Sequence, residues 1–475
     1  MGFFENLNSF GDKTALVCGS GDSGERSLLT YSQLAKDADG IAHAVGGRCL
    51  VFLVCENSIP SVAGYVGFLR GGIVPVLINS GIDNALMMYL LSAYRPAYCY
   101  LPSNQAGDMV SGECVYEYDT YSLIKTDYEC DYELSDELAL LLTTSGSTGS
   151  PKLVRQSYKN IAANTASIIE YLEINEDDRA ITTLPMSYTY GLSILNTHLM
   201  SGATMLLTDA TLMDKSFWAL MKEERATTFG GVPYIYEMLK KLRFARMELP
   251  SLRYLTQAGG KLSKELAEEF NEICRNKGIK LIVMYGQTEA TARMSYLPWE
   301  MADKKAGSMG VAIPRGKFGL IDENGNTIDT PDTVGELVYE GDNVTLGYAE
   351  TRHDLCRGDD FGGRLVTGDM AKRDADGFYY IVGRKKRFLK LFGNRVNLDE
   401  LEGLLKKQGF VCACAGVDDK LTIFLTDSTQ EADITSFVIN HTGISRGGFK
   451  TKLIDEIPRN EAGKVLYSAL ADMLG

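Results

Sequence analysis

From Leu28 to about Pro102, amphipathic stretches of helical period alternate with short runs that are apolar at almost every position, such as residues 49–55 and 72–78. A short run that is apolar on both faces suits a strand covered on both sides. Its alternation with helices predicts an α/β layer with parallel strands. The alternation resumes after Asp136, with a strand expected at 138–143, a helix at 157–171 and a strand at 180–184. Further strands are expected at 205–208, 227–229, 254–257 and 280–284. From Phe318 the pattern changes to short strands separated by turns, with DENG at 322–325 and DADG at 374–377 as hairpin corners. After the basic cluster RKKR at 384–387 a fresh α+β pattern begins. It reads as a helix at 398–408, strands at 412–417 and 421–426, a helix at 434–442 and a strand at 452–457. The expected fold is α/β: a large N-terminal domain of α/β layers plus a small β-rich lobe (1–384), a hinge at 385–387, and a small mobile α+β C-terminal domain (388–475).

A chain of 475 residues is long enough for two such domains. Its formal net charge of −14 disfavours nucleic acid and anionic membranes as partners, because both are polyanions. The start of the chain has no basic stretch followed by an apolar one, so no signal peptide is expected there. The most apolar segment, residues 50–79, is interrupted by Glu56, Asn57, Pro60 and Arg70 and reads as strand, helix, strand rather than as a membrane span. The ten cysteines form no CxxC pair and the four histidines are far apart, which suggests no zinc site. Reduced thiols in a cytoplasmic protein are the simplest expectation.

The strongest local signal is TTSGSTGSPK at 143–152, expected to follow a strand and precede a helix. Thr143, Thr144, Ser145, Gly146, Ser147, Thr148 and Gly149 are small residues whose backbone N–H groups and hydroxyls can surround a phosphate, and Lys152 adds a cation. The spacing is not that of a Walker A loop. Taken alone, a Gly/Ser stretch is more simply a flexible loop with no ligand.

In its context this loop resembles the phosphate-binding loop of the AMP-forming acyl-adenylate synthetases, a superfamily of acyl-CoA synthetases, carrier-protein adenylation domains and luciferases. The resemblance runs through nearly the whole chain in order. LTYSQL at 29–34, GFLRGGIVP at 67–75, QAGGKL at 257–262 and YGQTE at 285–289 are similar to successive family motifs. So are GEL at 335–337 with Gly347-Tyr348, TGD at 367–369 with Gly383-Arg384, Gly393 with Val396 and Glu400, and Pro458-Arg459 with Gly463-Lys464. The resemblance implies an enzyme that joins a carboxylic acid to ATP as an acyl-adenylate and passes the acyl group to a thiol. It implies ATP and Mg2+, with coenzyme A or a phosphopantetheine arm as acceptor. Thr144 and Lys152 would act on the phosphates, and Glu289 would hold Mg2+. Ala258, Gly259 and Gly260, with Tyr285, Gly286, Gln287 and Thr288, would bind AMP. Asp369 and Arg384 would take the ribose, and Lys464 would reach both the substrate carboxylate and the α-phosphate. Tyr188, Tyr190, Gly191, Gly231 and Val232 would line the acid pocket. Lys386 would be the hinge, and Gly393 would border the thiol tunnel. The chemistry agrees with these roles, because two anions can meet only where charge is neutralised and the groups are held in place.

Some positions depart from the family pattern. Tyr188 stands where many relatives have a histidine, Leu398 replaces a proline and Asn460 a threonine. Amino-acid-activating relatives place an Asp near Tyr190-Gly191, and without a carboxylate there an acid lacking an α-amino group is the expected substrate. Two rivals to an acyl-CoA ligase are an enzyme that loads a separate acyl carrier protein, and a non-catalytic nucleotide-binding relative. Intact Lys464, Glu289, Asp369 and Arg384 speak against the second.

Overall fold

The computed structural model describes residues 4–19, 26–143, 152–391, 394–442, 444–459 and 465–474. They fall into two compact units: residues 4–143, 152–317 and 340–365 in one, and residues 318–339 and 366–474 in the other.

The larger unit is built on two sheets. In the first, strands Thr14–Gly19, Thr204–Leu207, Arg179–Ile181, Thr228–Gly231, Tyr254–Gln257 and Lys280–Tyr285 run parallel in that spatial order, and short antiparallel strands finish both edges. In the second, Leu138–Thr143, Val74–Asn79, Leu50–Cys55 and Tyr98–Pro102 are parallel neighbours. The parallel α/β layer expected from the alternation is therefore present. Side-chain period decides which face each strand residue serves. In Leu50–Cys55, Val51, Leu53 and Cys55 enter a core shared with helices Tyr31–Val45, Ile59–Arg70, Tyr158–Leu172 and Thr189–Met200 and with the other sheet. Leu50, Phe52 and Val54 enter a second core under helix Asn84–Tyr94. The outer face of the first sheet is covered by Lys215–Glu223, Pro233–Lys241 and Lys264–Lys277. Helix starts are set locally: Thr30 and Gln33, and again Ser157 and Asn160, form reciprocal capping boxes.

One expectation is corrected. The loop at 143–152 joins Leu138–Thr143 to another strand, Leu153–Ser157, which pairs antiparallel with it, Thr143 opposite Leu153. The helix begins only at Tyr158. The strand was not apparent because Arg155 and Gln156 interrupt its apolar pattern, yet both are buried. Arg155 is satisfied by the carbonyls of Leu346 (2.7 Å), Tyr348 (3.1 Å), Arg357 (2.5 Å) and Gly358 (3.1 Å) and by the Asp360 carboxylate (2.5 Å).

The smaller unit holds most of the β-rich lobe, which the sequence placed with the N-terminal domain. Its four-stranded sheet has the order Lys317–Ile321, Gly335–Glu340, Arg364–Arg373, Tyr379–Arg384. The corners at 322–325 and 374–377 close with Gly325 and Gly377 donating to the Asp322 and Asp374 carbonyls, both at 3.1 Å. Downstream lie helix Leu398–Lys407, strands Cys412–Val417 and Lys420–Leu425, and helix Glu431–Thr442, close to expectation. The last strand is Phe449–Leu453, three residues earlier than the apolar pattern suggested. Among the described residues no helix is long and apolar enough to cross a membrane.

A buried ion pair holds this unit together. Arg387 donates to Glu402 (2.6 Å) and Asp399 (2.8 Å), and its guanidinium stacks on Tyr467 at 3.7 Å. Glu402 also accepts from the Tyr467 hydroxyl and the Cys414 amide. Removing one partner leaves a buried charge uncompensated, at a cost of about 3–5 kcal/mol. Glu402→Ala is therefore expected to lower the thermal midpoint and expose this unit to limited proteolysis, and the paired replacement Arg387→Met with Glu402→Leu should recover most of the loss.

Candidate functional site

Thr143 closes strand Leu138–Thr143, and Lys152 stands just before Leu153–Ser157. Thr144, Ser145, Gly146, Ser147, Thr148, Gly149, Gly393 and Lys464 lie outside the described residues. Strand Leu153–Ser157 follows Lys152, so no helix begins directly after this segment.

Three separate motifs meet at one side chain. The Tyr348 hydroxyl donates to Glu289 Oε1 at 2.7 Å, and the Lys152 ammonium lies 5.9 Å from the centre of the Tyr348 ring. Lys152 also pairs with Glu350 at 2.5 Å. The motif reading placed Tyr348 in a pattern but gave it no task. The geometry shows what it does locally: it links Lys152 to Glu289.

Glu289 sits in the 3-10 turn Thr288–Ala290, which follows strand Lys280–Tyr285 through Gly286 and Gln287. The Gln287 amide donates to the Tyr285 hydroxyl at 3.1 Å. Immediately after the turn the backbone is strained, with φ of 58° at Thr291 and 127° at Ala292. Side chains other than glycine rarely occupy such angles, which cost about 1–3 kcal/mol each. The strain is held by a clasp from residues 343–345. The Asn343 amide donates to the carbonyls of Ala290 (2.9 Å) and Arg293 (3.3 Å), and Thr291 Oγ1 donates to the Asn343 carbonyl (2.7 Å). The Thr345 amide donates to the Glu289 carbonyl at 3.0 Å. Sequence reasoning missed Asn343; its position four residues before Gly347-Tyr348 was the available signal.

The turn at Ala258, Gly259 and Gly260 follows strand Tyr254–Gln257, and the fully buried Gln257 amide ties it by donating to the Gly260 carbonyl at 2.9 Å. Gly259 has φ +80°, and a Cβ there would lie 2.6 Å from the Tyr188 hydroxyl and 3.0 Å from Val232. The glycine is thus needed both for its backbone angle and for the approach of Tyr188. Gly231 ends strand Thr228–Gly231, and Val232 caps helix Pro233–Lys241. Tyr188, Gly259 and Val232, three residues expected in two different subsites, are accordingly neighbours. Tyr190 is buried, donates to Thr256 Oγ1 at 2.8 Å and meets Tyr188 edge to face. Burial raises the phenols of Tyr188 and Tyr190 above their usual range, so neither exchanges a proton near neutral pH. Tyr188 cannot supply the acid–base chemistry of an imidazole. Gly191 has a packing reason of its own, since a Cβ there would collide with the Pro185 carbonyl.

In the smaller unit, Asp369 is buried and pairs with Arg384 Nε at 2.7 Å, while the Arg384 side chain is half exposed. Strand pairing sets Asp369 directly opposite Arg384. The Asp369 amide is fixed by Thr367 Oγ1 at 3.1 Å. A carboxylate oriented by a guanidinium from the neighbouring strand can accept hydrogen bonds from vicinal hydroxyls. Lys386 is the middle residue of the 3-10 turn Lys385–Arg387. On one side of it Lys385 pairs with Glu336 at 2.8 Å, and on the other Arg387 Nε donates to Asp399 at 2.8 Å.

The chain matches the AMP-binding enzyme family over residues 3–349. It belongs to that family. It is 27% identical to the 3-hydroxybenzoate–CoA/4-hydroxybenzoate–CoA ligase of Thauera aromatica, across 98% of this chain and 94% of the relative. It is 28% identical to a 2-succinylbenzoate–CoA ligase of Bacillus cereus (strain AH820), across 89% of this chain and 92% of the relative. The fold matches that of the O-succinylbenzoate coenzyme A synthetase of Bacillus subtilis in complex with AMP, with a TM-score of 0.78, 21% identity and coverage of 97% and 96% of the two chains.

Within this AMP-binding enzyme, removing the Tyr348 hydroxyl leaves Glu289 without that donor. Hydrogen bonds to charged groups contribute about 1.5–3 kcal/mol. Tyr348→Phe should weaken Mg2+-dependent ATP binding by about tenfold or more in titration calorimetry, with a smaller change when Mg2+ is omitted.

Proposed function

We propose that this chain is an AMP-forming ligase that activates a carboxylic acid without an α-amino group as its acyl-adenylate and transfers the acyl group to coenzyme A. The observation that carries the reading is the meeting of Lys152, Tyr348 and Glu289 from three distant motifs around one hydrogen bond of 2.7 Å. The coenzyme A ligases among its relatives support the choice of acceptor over a separate acyl carrier protein.

In the first half-reaction a carboxylate oxygen attacks the α-phosphorus of ATP, and the bond to pyrophosphate breaks. In the second, the thiol sulfur attacks the acyl carbon, and AMP leaves with the bonding pair. The obstacle in the first step is repulsion between anions, so the protein acts chiefly by positioning and by placing positive charge. Lys152 supplies charge beside the phosphate loop. Lys464 is the proposed shared partner of the substrate carboxylate and the α-phosphate. Asp369, oriented by Arg384, takes the ribose hydroxyls, and the turn at Ala258, Gly259 and Gly260 takes the base.

Glu289 suits Mg2+ carried in on the nucleotide. Its Oε1 accepts from Tyr348, and among the described residues no hydrogen bond to its second oxygen is seen and no three His, Cys, Asp or Glu gather as a metal cage. When bound, the ion neutralises the pyrophosphate leaving group. Residues 388–475 are proposed to turn about Lys386 between the two half-reactions, with Gly393 leaving room for the thiol. The working compartment is the cytoplasm.

The purified protein should catalyse acid-dependent exchange of pyrophosphate into ATP and release AMP; ADP and phosphate as products would refute the reading. Lys464→Ala should remove at least 90% or so of adenylation, by loss of one preorganised cation, while sparing thioester formation from supplied acyl-adenylate. Assaying the two half-reactions separately checks this, and equal losses would make Lys464 structural.

A further inference from the structure

Three arginines are buried among the described residues: Arg155, Arg293 and Arg387. Two have carboxylate partners, Asp360 at 2.5 Å for Arg155, and Glu402 and Asp399 for Arg387. Arg293 is 2% exposed and pairs with no carboxylate among the described residues. Its Nε donates to Ser193 Oγ at 3.2 Å, and Nη1 reaches the Tyr171 hydroxyl at 3.4 Å and the Met284 sulfur at 3.5 Å. The guanidinium lies 5.1 Å from the centre of the Tyr190 ring. These partners are neutral, the contacts are long, and a thioether is a weak acceptor. The buried carboxylate Asp178, which shares the electrostatic surroundings of His198 with Arg293, is engaged by Arg253 at 2.5 Å and by Thr227 at 2.8 Å.

A guanidinium cannot shed its proton in a protein, so burial without an anion is costly and cannot be relieved by neutralisation. Packing does not require this charge: Met or Leu would fill such a site at lower cost. The position is nonetheless fixed with care. The Arg293 carbonyl accepts from Asn164 at 2.8 Å and from Asn343 at 3.3 Å, so the clasp that holds Glu289 also aims Arg293. Around it converge Ser193, Tyr171, Met284 and Tyr190, and Tyr190 is part of the expected lining of the acid pocket.

We propose that Arg293 determines specificity at the inner end of the acid pocket, and that the acid activated by this enzyme carries a second carboxylate, which pairs with the Arg293 guanidinium. The inference rests on the adenylation reading. One carboxylate is adenylated; the other supplies the anion that Arg293 lacks and accepts from its fork of N–H groups. An ammonium on the substrate would be repelled at the same place, a reason against amino acids that is independent of Gly191.

The test is pyrophosphate exchange with acids matched in length and shape: glutarate against pentanoate, adipate against hexanoate, and the benzenedicarboxylates against benzoate. Truncating one partner of a buried charge pair typically costs 2–5 kcal/mol, about 30-fold or more. The wild-type protein should prefer its best diacid over the matched monoacid by at least that ratio in kcat/KM. Arg293→Met should collapse or invert the ratio, chiefly through KM of the diacid, and Arg293→Lys should restore part of it. Equal or better use of monoacids by the wild-type protein overturns the proposal, and this comparison needs no variant to fold. So does a proportional loss on both series in Arg293→Met, which marks a structural role. Exchange with no acid of either series would instead overturn the adenylation reading, an outcome distinct from a panel in which only monoacids react.

Discussion

The candidate site depends on the hydrogen bonds between residues 343–345 and the backbone of 289–293. A turn that passes through positive φ at Thr291 and again at Ala292 would relax if it were free. Asn343 and Thr345 hold it by its main-chain groups, leaving the side chains free for other work. Glu289 meets Tyr348, and Arg293 meets Tyr190. A carboxylate and a guanidinium four residues apart would ordinarily pair or drift; here each is committed to a different neighbourhood. The clasp thereby converts a local energetic cost into fixed directions for two opposite charges.

Most of the architecture could be read in advance because the strands of the larger unit are covered on both faces, so their sequence is apolar throughout and stands out between helices. The strand Tyr254–Gln257 and the whole of Leu138–Thr143 fall where the pattern placed them. What could not be read was structure stabilised by distant partners. Leu153–Ser157 looked like a continuation of the loop because its buried Arg155 is satisfied by groups about 190–205 positions away. The shift of the last strand to Phe449–Leu453 has a similar origin: its register is set by parallel pairing with Lys420–Leu425, not by its own alternation.

The site shows the same division. Glu289, Lys152, Asp369 and Arg384 were visible because they sit in dense motifs. The link between Asp369 and Arg384 was also foreseeable, and strand pairing makes them direct partners. Tyr348, Asn343 and Arg293 were not assigned roles, because each acts across a contact that only folding creates. Gly191 was read for the side chain it lacks, and the Pro185 carbonyl supplies a steric reason for that lack.

The way Arg155 is anchored affects how this part of the chain can vary. Four of its five acceptors are main-chain carbonyls, which any amino acid provides. The identities of residues 346, 348, 357 and 358 are therefore not constrained by that anchorage. Substitutions on this segment can accumulate and be selected for what the side chains do, while its attachment, by Arg155 and by main-chain pairing of Gly347–Ala349 with the strand that carries it, is inherited unchanged.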